Sequence, residues 1–395
     1  MRKKTKSILL IFAIILLGCK EEFLLETTNY KPIMVVDGMI TNEPGPYTIK
    51  ISFSSPLPRE EGKTQVEGCT VTIYENSNKS EVLSENEPGI YVSSEGGIQG
   101  VIGNNYSISI LTPDNKEYES DLQEMKEPIE IESIYTKVIK VNKEEYPEGL
   151  PGYQFYLDTE TSPSQDNYFL WKATETFEYT VDYKLMDIRF YKPELDTNLL
   201  LRMPIVQEYK SDYFTCWKSQ NINYVFTGKT TNLNIPKIIG QPILFVGTDT
   251  KKLKKRYSLN LKQYTVNKDT YYYWKRIEEY TTDENILISK QPYNIIGNIK
   301  NKNNPNEMIF GNFTAASVAQ KRIFVDKPKE EFHYNICELY TDPGTIQSLF
   351  ENANPPFYLI EYGNSFGFGV LTSESCIKCT LSGGNNFKPD FWIDK

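Results

Sequence analysis

Apolar residues recur at every second position in several short runs in the first third of the chain. Such runs occupy positions 47–51, 70–74 and 106–110, and turn-forming residues separate them. A period of two places alternate side chains on one face of a β-strand, so each run is expected to bury one face. The TPDN sequence at 112–115 predicts a turn with proline at its second position, before another strand at 117–120. The pattern predicts an immunoglobulin-like β-sandwich over residues 31–127.

A second strand-rich region is predicted over residues 128–395, after a join around the EPI sequence at 127–129. Its clearest strands are a long, partly alternating run at 169–179 and a shorter run at 257–261. The expected fold class is therefore mostly β, in which the N-terminal sandwich precedes a larger strand-rich domain with one or two helices.

Helical spacing of apolar residues appears in two places within the second region. Asn267 is expected to cap a first helix, and Asp342 followed by Pro343 predicts the start of a second. We interpret the mostly aromatic stripe of the first helix as core packing, with a ligand platform as the alternative. This stripe consists of Tyr273, Trp274, Ile277 and Tyr280.

The N-terminus has the layout of a secretory signal. Four basic residues precede an apolar run at 8–17, which is too short to cross a bilayer because a spanning helix needs about 20 apolar residues. The run ends on the LLGC sequence at 16–19, which resembles a bacterial lipobox. We expect residues 1–18 to be removed, Cys19 to carry acyl chains and residues 19–30 to form a tether. The alternative is an ordinary signal peptide in which this cysteine has no role.

The charge balance argues against nucleic acid as a partner. The chain has 43 basic and 52 acidic residues, and loss of the first 18 residues would change its net charge from −9 to −13. Nucleic-acid binding depends on neutralising phosphates, for which an acidic chain is poorly suited. His333 is the only histidine, so paired-histidine metal centres and HExxH metalloprotease helices are excluded within this chain. We expect no metal and no cofactor.

The CIKC sequence at 376–379 is compatible with a disulfide pair, a zinc site or a redox centre. An exported location favours disulfides, because oxidising compartments stabilise them. We expect Cys69 to remain a free thiol and two disulfides to form among the four cysteines of the second region. Three pairings are possible, and we favour those that divide CIKC between the two upstream cysteines. The four candidates are Cys216, Cys337, Cys376 and Cys379.

Three further patterns carry weaker signals. The GNSFG sequence at 363–367 matches a nucleophile elbow, but a strand is predicted after it where that motif needs a helix. We interpret it as a glycine-rich hairpin. Glu175 and Glu178 are an example of the acidic pairs that a glycosidase would use, although a solvated strand face is favoured in a chain with 52 acids. The KKLKKR sequence at 251–256 is interpreted as a solvated edge or loop, with contact to acidic headgroups or a partner as the alternative.

Five longer segments carry a family resemblance. They are MVVDGMITNEPGPYTIKIS, NNYSISILTPDNKEYES, YSLNLKQYTVNKDTYYYWKRI, IIGNIKNKNNPNEMIFGNFTAAS and CIKCTLSGGNNFKPDFW. Together they resemble the Bacteroidota lipoproteins grouped as domain of unknown function 4249, over nearly the whole chain after the signal. The QPY sequence at 291–293 departs from the Phe-Asp-Pro-like loop of such proteins.

The resemblance implies a surface lipoprotein whose gene often lies beside that of a TonB-dependent outer-membrane transporter, and it supplies no catalytic residues. The charged sequence Lys20, Glu21, Glu22 after the lipid cysteine resembles the signal that exports such lipoproteins to the outer face of the outer membrane. We therefore expect a non-enzymatic protein that is anchored in the outer membrane through acyl chains on Cys19 and faces outwards. Its expected role is to assist a TonB-dependent β-barrel transporter in ligand capture or uptake. The alternatives are an extracellular glycan or peptide hydrolase that uses paired carboxylates, and a structural or adhesive surface protein.

Overall fold

The fold is known from a computed structural model of the chain. It describes residues 32–54, 64–161, 166–183, 187–189, 205–207, 213–231, 233, 235–282, 295–334, 336–352, 357–362 and 367–394. The expected signal peptide, Cys19 and the charged residues Lys20, Glu21 and Glu22 lie outside these ranges.

Strands dominate the described residues, and two helices accompany them, so the expected mostly-β fold class is confirmed. The first ten strands are β1 Met34–Thr41, β2 Thr48–Phe53, β3 Thr70–Glu75, β4 Lys79–Val82, β5 Ser84–Glu87, β6 Ile90–Val92, β7 Asn105–Leu111, β8 Glu117–Ser120, β9 Gln123–Glu124 and β10 Ile131–Lys143. The next six are β11 Tyr146–Glu160, β12 Tyr168–Thr180, β13 Asp187–Arg189, β14 Ile205–Gln207, β15 Thr215–Asn221 and β16 Phe226–Lys229. The remaining strands are β17 Lys237–Gly247, β18 Arg256–Val266, β19 Ile299–Asn301, β20 Ile309–Asp326, β21 Phe357–Tyr362 and β22 Gly367–Leu371. The helices are α1 Lys268–Thr282 and α2 Pro343–Asn352.

Two sheets share one apolar core in the first part of the chain. One contains β1, β2, β6 and β5, and the other has the order β19-β8-β7-β3-β4. The alternation predicted from the sequence is present, because Ile49 and Ile51 are buried while Thr48 and Lys50 are exposed. The apolar positions of β3 and β7 are buried in the same cluster, so burial of one face holds these sheets together.

The first sandwich also contains residues from late in the chain. Strand β20 pairs in parallel with β1, and β19 pairs antiparallel with β8. Phe313 and Ala315 of β20 lie in the core of the first sandwich. One large sheet with the order β15-β12-β18-β20-β1-β2-β6-β5 therefore crosses the join expected near residue 128. The sandwich expected over 31–127 is completed by residues 299–315, which sequence reasoning assigned to the second domain.

Glycines permit this close approach of β20 to β1. Gly311 has a φ of +103°, and a Cβ there would overlap the carbonyl oxygen of Val36. A Cβ on Gly297 would overlap the carbonyl oxygen of Gly311 in the same way. Asn298 then fixes the neighbouring backbone, because its amide accepts from the Phe313 N–H at 2.9 Å and donates to the Phe313 carbonyl at 2.8 Å. Both glycines lie in the IIGNIKNKNNPNEMIFGNFTAAS segment, each directly before an asparagine. Both are needed there because a side chain would prevent the close backbone contacts.

The other end of the large sheet is covered on both faces. A three-stranded sheet of order β10-β11-β17 packs on one face, around Phe155, Trp171 and Leu259. Helix α1 packs on the opposite face, where Tyr271 meets Leu170 and Val266. Because strand side chains alternate, neighbouring residues of β12 and β18 enter two different cores.

The two helices begin where the sequence predicts, although one cap differs. Asp342 accepts a hydrogen bond from the backbone N–H of Thr345 at 2.8 Å, as expected for an N-cap. Asn267 precedes α1, but its side chain donates to Gln123 and to the Glu124 carbonyl of β9. Within α1, Tyr271 is the most buried aromatic residue, and Trp274 of the predicted stripe packs partly buried against the same core. In the described part of the chain, no helix has the length and apolar character needed to span a bilayer.

We predict that Gly311→Ala strongly destabilises the protein. The added methyl group meets the β1 backbone, and φ is unfavourable for alanine, so the free energy of unfolding should fall by about 3 kcal/mol or more. Denaturant unfolding measures the change. Gly96→Ala is the matched control, because Gly96 also has a positive φ of +72° but nothing lies within 4 Å of the added Cβ. Equal losses in the two variants would contradict the close-approach argument.

Candidate functional site

A cleft of about 660 Å³ opens at one end of the first sandwich. It lies where β1 begins and β2 ends, next to the turn between β7 and β8 and the segment that leads into β20. The chain enters the described structure at this cleft, because Pro32 and Ile33 line it. The other lining residues are Met34, Phe53, Gln65, Val66, Glu67, Thr112, Pro113, Asp114, Lys116, Tyr118, Glu307 and Met308.

The inner part of the cleft is apolar. Met34 and Val66 are buried, and Phe53 packs against the same core. The Val66 carbonyl is fixed by the Tyr91 hydroxyl, which donates to it at 2.9 Å. Met308 is 39% exposed, so it presents an apolar side chain at the surface of the cleft. A rigid apolar floor of this kind suits the apolar part of a ligand.

The polar groups of the cleft are held in place by one another. The Tyr118 hydroxyl donates to Glu307 at 2.9 Å, and Asn301 donates to the second carboxylate oxygen of Glu307 at 2.6 Å. Burial and the neighbouring Glu307 raise the pKa of Tyr118 well above its ordinary value, so it remains a donor at neutral pH. Lys116 forms an ion pair with Asp114 at 2.8 Å and lowers the pKa of that carboxyl.

The cleft has the chemistry of a binding site. Its lining contains three carboxylates and one ammonium group, which favours a ligand with donor or cationic groups beside an apolar body. Among its described lining residues there is no serine, cysteine or histidine. The Thr112 hydroxyl is held by Asp114 at 2.5 Å and by the Lys116 backbone. The described lining therefore offers charged and hydrogen-bonding groups beside an apolar floor, which are the groups that recognise a ligand.

Sequence reasoning did not find this cleft. Tyr118 and Glu307 are 189 residues apart in sequence and meet only because β19 and β20 join the first sandwich. The nearest signal was the TPDN turn, since Asp114 lies in it. Neither a periodic pattern nor a motif connects that turn to the NPNEM sequence at 304–308.

The predicted disulfides are present. Cys216 pairs with Cys379 across 163 residues, and Cys337 pairs with Cys376 across 39 residues. The two sulfurs of CIKC are thus divided between the upstream cysteines, and Cys69 is a half-buried free thiol. In the chain-entropy account, loops of these lengths contribute roughly 5 and 4 kcal/mol to stability. The Cys216–Cys379 disulfide ties the C-terminal residues to β15, where Asn385 also pairs with Trp217.

The KKLKKR sequence is not simply a solvated edge. Lys251 and Lys254 form ion pairs with Asp182 at 2.8 and 3.3 Å, and the Asp182 side chain is only 2% exposed. Lys252 pairs with the fully buried Glu175 at 2.6 Å. The solvated interpretation holds for Lys255, which is exposed. These lysines act as counterions for buried carboxylates, because an unpaired buried charge is strongly destabilising.

Glu175 and Glu178 do not form a facing pair. They are three positions apart on β12, so their side chains lie on opposite faces of the sheet. Glu175 also accepts hydrogen bonds from Gln220 and Tyr257, which complete its buried network. Ser365 and the three residues around it at 363–366 lie outside the described residues. Across the described ranges, no three His, Cys, Asp or Glu side chains are grouped as ligands for a metal ion.

We predict one reactive thiol per acylated chain in denaturant before reduction, and five after it. The single thiol is Cys69, because the other four cysteines after Cys19 are paired. Thiol titration with peptide mapping under non-reducing conditions measures both counts and the pairing. The Cys69→Ser variant should have no reactive thiol before reduction. Three or five reactive thiols in the unreduced wild type would contradict the assignment.

We predict that Asp182→Asn lowers stability more at pH 7 than at pH 3. Burial alone would raise the pKa of Asp182, but the Lys251 ammonium, the Cys337 backbone N–H and the charge of Lys254 lower it below its ordinary value. A lowered folded pKa stabilises the protein above the unfolded pKa of about 3.9, and this contribution is lost as pH falls through the folded pKa. The expected loss at pH 7 is about 3 kcal/mol.

Urea unfolding at the two pH values measures the effect of Asp182→Asn. Asp121→Asn is the control, because Asp121 forms an exposed pair with Lys300 and should change stability by less than about 1 kcal/mol. A loss for Asp182→Asn that is the same at both pH values would refute the carboxylate's role.

Comparisons with known proteins and protein families show which family the chain belongs to. No curated protein matches the chain. A solved structure entitled "Biofilm associated protein - BSP domain" is 8% identical, with a TM-score of 0.13; the match covers 78% of this chain and 62% of that one. That likeness is too low to support an argument about fold or function. The family model described as "Domain of unknown function (DUF4249)" matches residues 20–322, which include β1 to β19, helix α1 and the whole cleft. The chain belongs to the DUF4249 family.

Proposed function

We propose that this protein is a non-enzymatic lipoprotein of the outer membrane, anchored by acyl chains on Cys19 and facing outwards, which captures a ligand for a TonB-dependent β-barrel transporter. The position of the cleft beside the start of β1, a short stretch of sequence after Cys19, is the observation that carries this proposal. Pro32, which lines the cleft, is 13 residues from Cys19 in the sequence.

The length of this connection limits how far the cleft lies from the membrane. Thirteen residues span at most about 45 Å when fully extended. A ligand bound in the cleft of an anchored chain is therefore held close to the membrane surface, where the mouth of a transporter opens. A local ligand concentration of this kind raises the rate of transfer without requiring a tight complex.

The chemistry of the cleft supports capture. The apolar floor made by Met34, Phe53 and Val66 favours an apolar ligand body, while Glu67 and Glu307 favour donor groups. The mature net charge of −13 supports solubility at a surface and disfavours phosphate-rich partners. The membrane anchor, outward orientation and transporter partner follow from the lipobox-like sequence and the family resemblance.

We predict that immunoprecipitation of the protein from detergent-solubilised outer membranes recovers a large β-barrel protein. The contact is first fixed by chemical crosslinking of intact cells, because detergent removes the shared membrane that holds two weakly bound proteins together. Mass spectrometry of the captured proteins identifies the barrel. Repeated recovery of the lipoprotein without a barrel would argue against the transporter role.

The Cys19→Ala variant is the control for anchoring. It should move from the membrane fraction to the soluble fraction and should recover no barrel, because it lacks the acyl chains. Retention of this variant in the membrane at the wild-type level would sink the lipid-anchor proposal. Protease added to intact cells should degrade the wild type if it faces outwards, and protection would place it on the inner face.

A further inference from the structure

The three carboxylates of the cleft are not equally neutralised. Lys116, the one ammonium group among the described lining residues, pairs with Asp114 at 2.8 Å. The pKa of Lys116 is raised first by its hydrogen bond to Asp114 and least by the field of Glu307. Lys116 and Asp114 therefore largely cancel each other. The negative charge that remains in the cleft belongs to Glu67 and Glu307.

Glu307 differs in this respect from the oriented carboxylates elsewhere in the protein. Glu175 and Asp182 also accept hydrogen bonds from neutral groups, but each has a lysine as its counterion, at 2.6 and 2.8 Å. Among the described residues, Glu307 accepts from neutral donors and has no ion pair. Its carboxylate is half-buried and lines the cleft, so a counterion can reach it only from the cleft side.

The Glu307 carboxylate is held rigidly before any ligand arrives. Tyr118 binds one of its oxygens and Asn301 binds the other, and both donors are buried. Asn301 is itself fixed, because its side-chain oxygen accepts from the backbone N–H groups of Asn303 and Asn304 at 2.8 and 3.0 Å. Each carboxylate oxygen can accept two hydrogen bonds, so each keeps one acceptor position. A ligand donor therefore meets an acceptor that needs no further ordering.

The space beside Glu307 is large enough for a ligand and is mostly apolar. The cleft volume of about 660 Å³ lies within the range of small-molecule sites, which is roughly 300 to 1,000 Å³. Met308, the next residue in the chain, is exposed at the surface of the cleft, and Met34 and Val66 form the floor. A ligand that reaches Glu307 with a charged group thus places its apolar part against these side chains.

We propose that the cleft binds a primary ammonium group carried on an apolar body, with Glu307 as its counterion. The ammonium donates to the two remaining acceptor positions of Glu307, and the apolar body contacts Met34, Val66 and Met308. A ligand carboxylate is disfavoured, because Lys116 already has a partner and the charge of Glu307 repels it. The ammonium comes either from the amino terminus of a peptide or from a free organic amine. This inference rests on the proposed capture role of the cleft and names the class of ligand that is captured.

Calorimetric titration of the purified acylated chain in detergent tests the ligand class. The probes are Leu-Phe amide for a peptide amino terminus and 2-phenylethylamine for a free amine, and titration into detergent alone is the blank. At about pH 6.5 both amines are charged, because an α-amino group has a pKa of about 7.7. Saturable binding of either amine at one per chain supports the proposal, and the tighter amine identifies the source of the ammonium.

Neutral analogues separate the charge from the apolar body. N-acetyl-Leu-Phe amide and 2-phenylethanol keep the apolar groups but carry no positive charge. They should bind at least about tenfold more weakly than the matching amines, because they cannot form a charge-assisted hydrogen bond with a carboxylate. Binding of neither amine, or equal binding of an amine and its neutral analogue, would overturn the proposal.

Variants assign the ammonium to Glu307. Glu307→Gln keeps the shape of the side chain and should weaken binding of the amine at least about tenfold, while binding of the neutral analogue stays unchanged. Glu145→Gln is the control, since it removes the same charge from an exposed residue between β10 and β11 and should leave amine binding unchanged. A loss in Glu67→Gln without a loss in Glu307→Gln would refute the assignment to Glu307.

Carbodiimide coupling in the wild type keeps the test valid if Glu307→Gln does not fold. The carbodiimide activates a carboxylate, the amine of Leu-Phe amide attacks the activated carbon, and an amide forms as the carbodiimide leaves as a urea. Peptide mapping should show coupling at Glu307 that saturates with probe concentration, whereas coupling at the exposed Glu145 should rise linearly. Linear coupling at both residues, or no coupling at Glu307 while the amine binds, would show that the site is wrong.

The binding result and the transporter result are independent of each other. Calorimetry uses the isolated protein, so amine binding without recovery of a β-barrel from crosslinked cells would support the ligand class and argue against the transporter role. Recovery of a β-barrel by a chain that binds neither amine would leave the transporter role in place and overturn the ligand class.

Discussion

The parallel pairing of β1 with β20 is the constraint on which the rest of the structure depends. It joins the first strand of the chain to an 18-residue strand that begins 275 residues later. The pairing is possible because Gly311 allows the two backbones to approach, and Asn298 then satisfies the adjacent polar groups. Because β20 also pairs with β18, one sheet extends from the first sandwich into the second region. The two regions expected from the sequence therefore share a sheet.

This shared sheet explains how residues that are distant in the sequence come together at two separate places. At the end of the first sandwich, the segment before β20 brings Glu307 to Tyr118 and forms one wall of the cleft. Further along the same sheet, β12 and β18 present Lys172 and Tyr264 towards α1. The C-terminal residues cover the same face beyond α1, where Trp392 packs on Phe324. The disulfide from Cys379 to Cys216 fixes these residues beside the sheet.

Local patterns predicted the features that depend on local physics. Alternation predicted the buried faces of β2 and β7, and the Asp342-Pro343 sequence predicted the start of α2, because strand faces and caps are set by nearby residues. The disulfides followed from the compartment expected of the N-terminus. The β1–β20 pairing was not predictable in this way, since parallel pairing over such a separation leaves no short-range signal. The cleft was missed for the same reason.

The sequence was most misleading about which lysines are exposed to solvent and which are paired with buried carboxylates. KKLKKR was interpreted as solvated because a run of lysines is polar, yet Lys251, Lys252 and Lys254 neutralise two buried carboxylates. A count of charges along the chain does not distinguish a lysine with an internal counterion from one without. Lys172 of β12 stands in no basic run, and its ammonium lies over the rings of Trp274 and Tyr264 on the helix-covered face of the sheet, where burial lowers its pKa. In this acidic chain, the environment of each ammonium therefore depends on the strands and the helix around it, and not on the number of lysines beside it in the sequence.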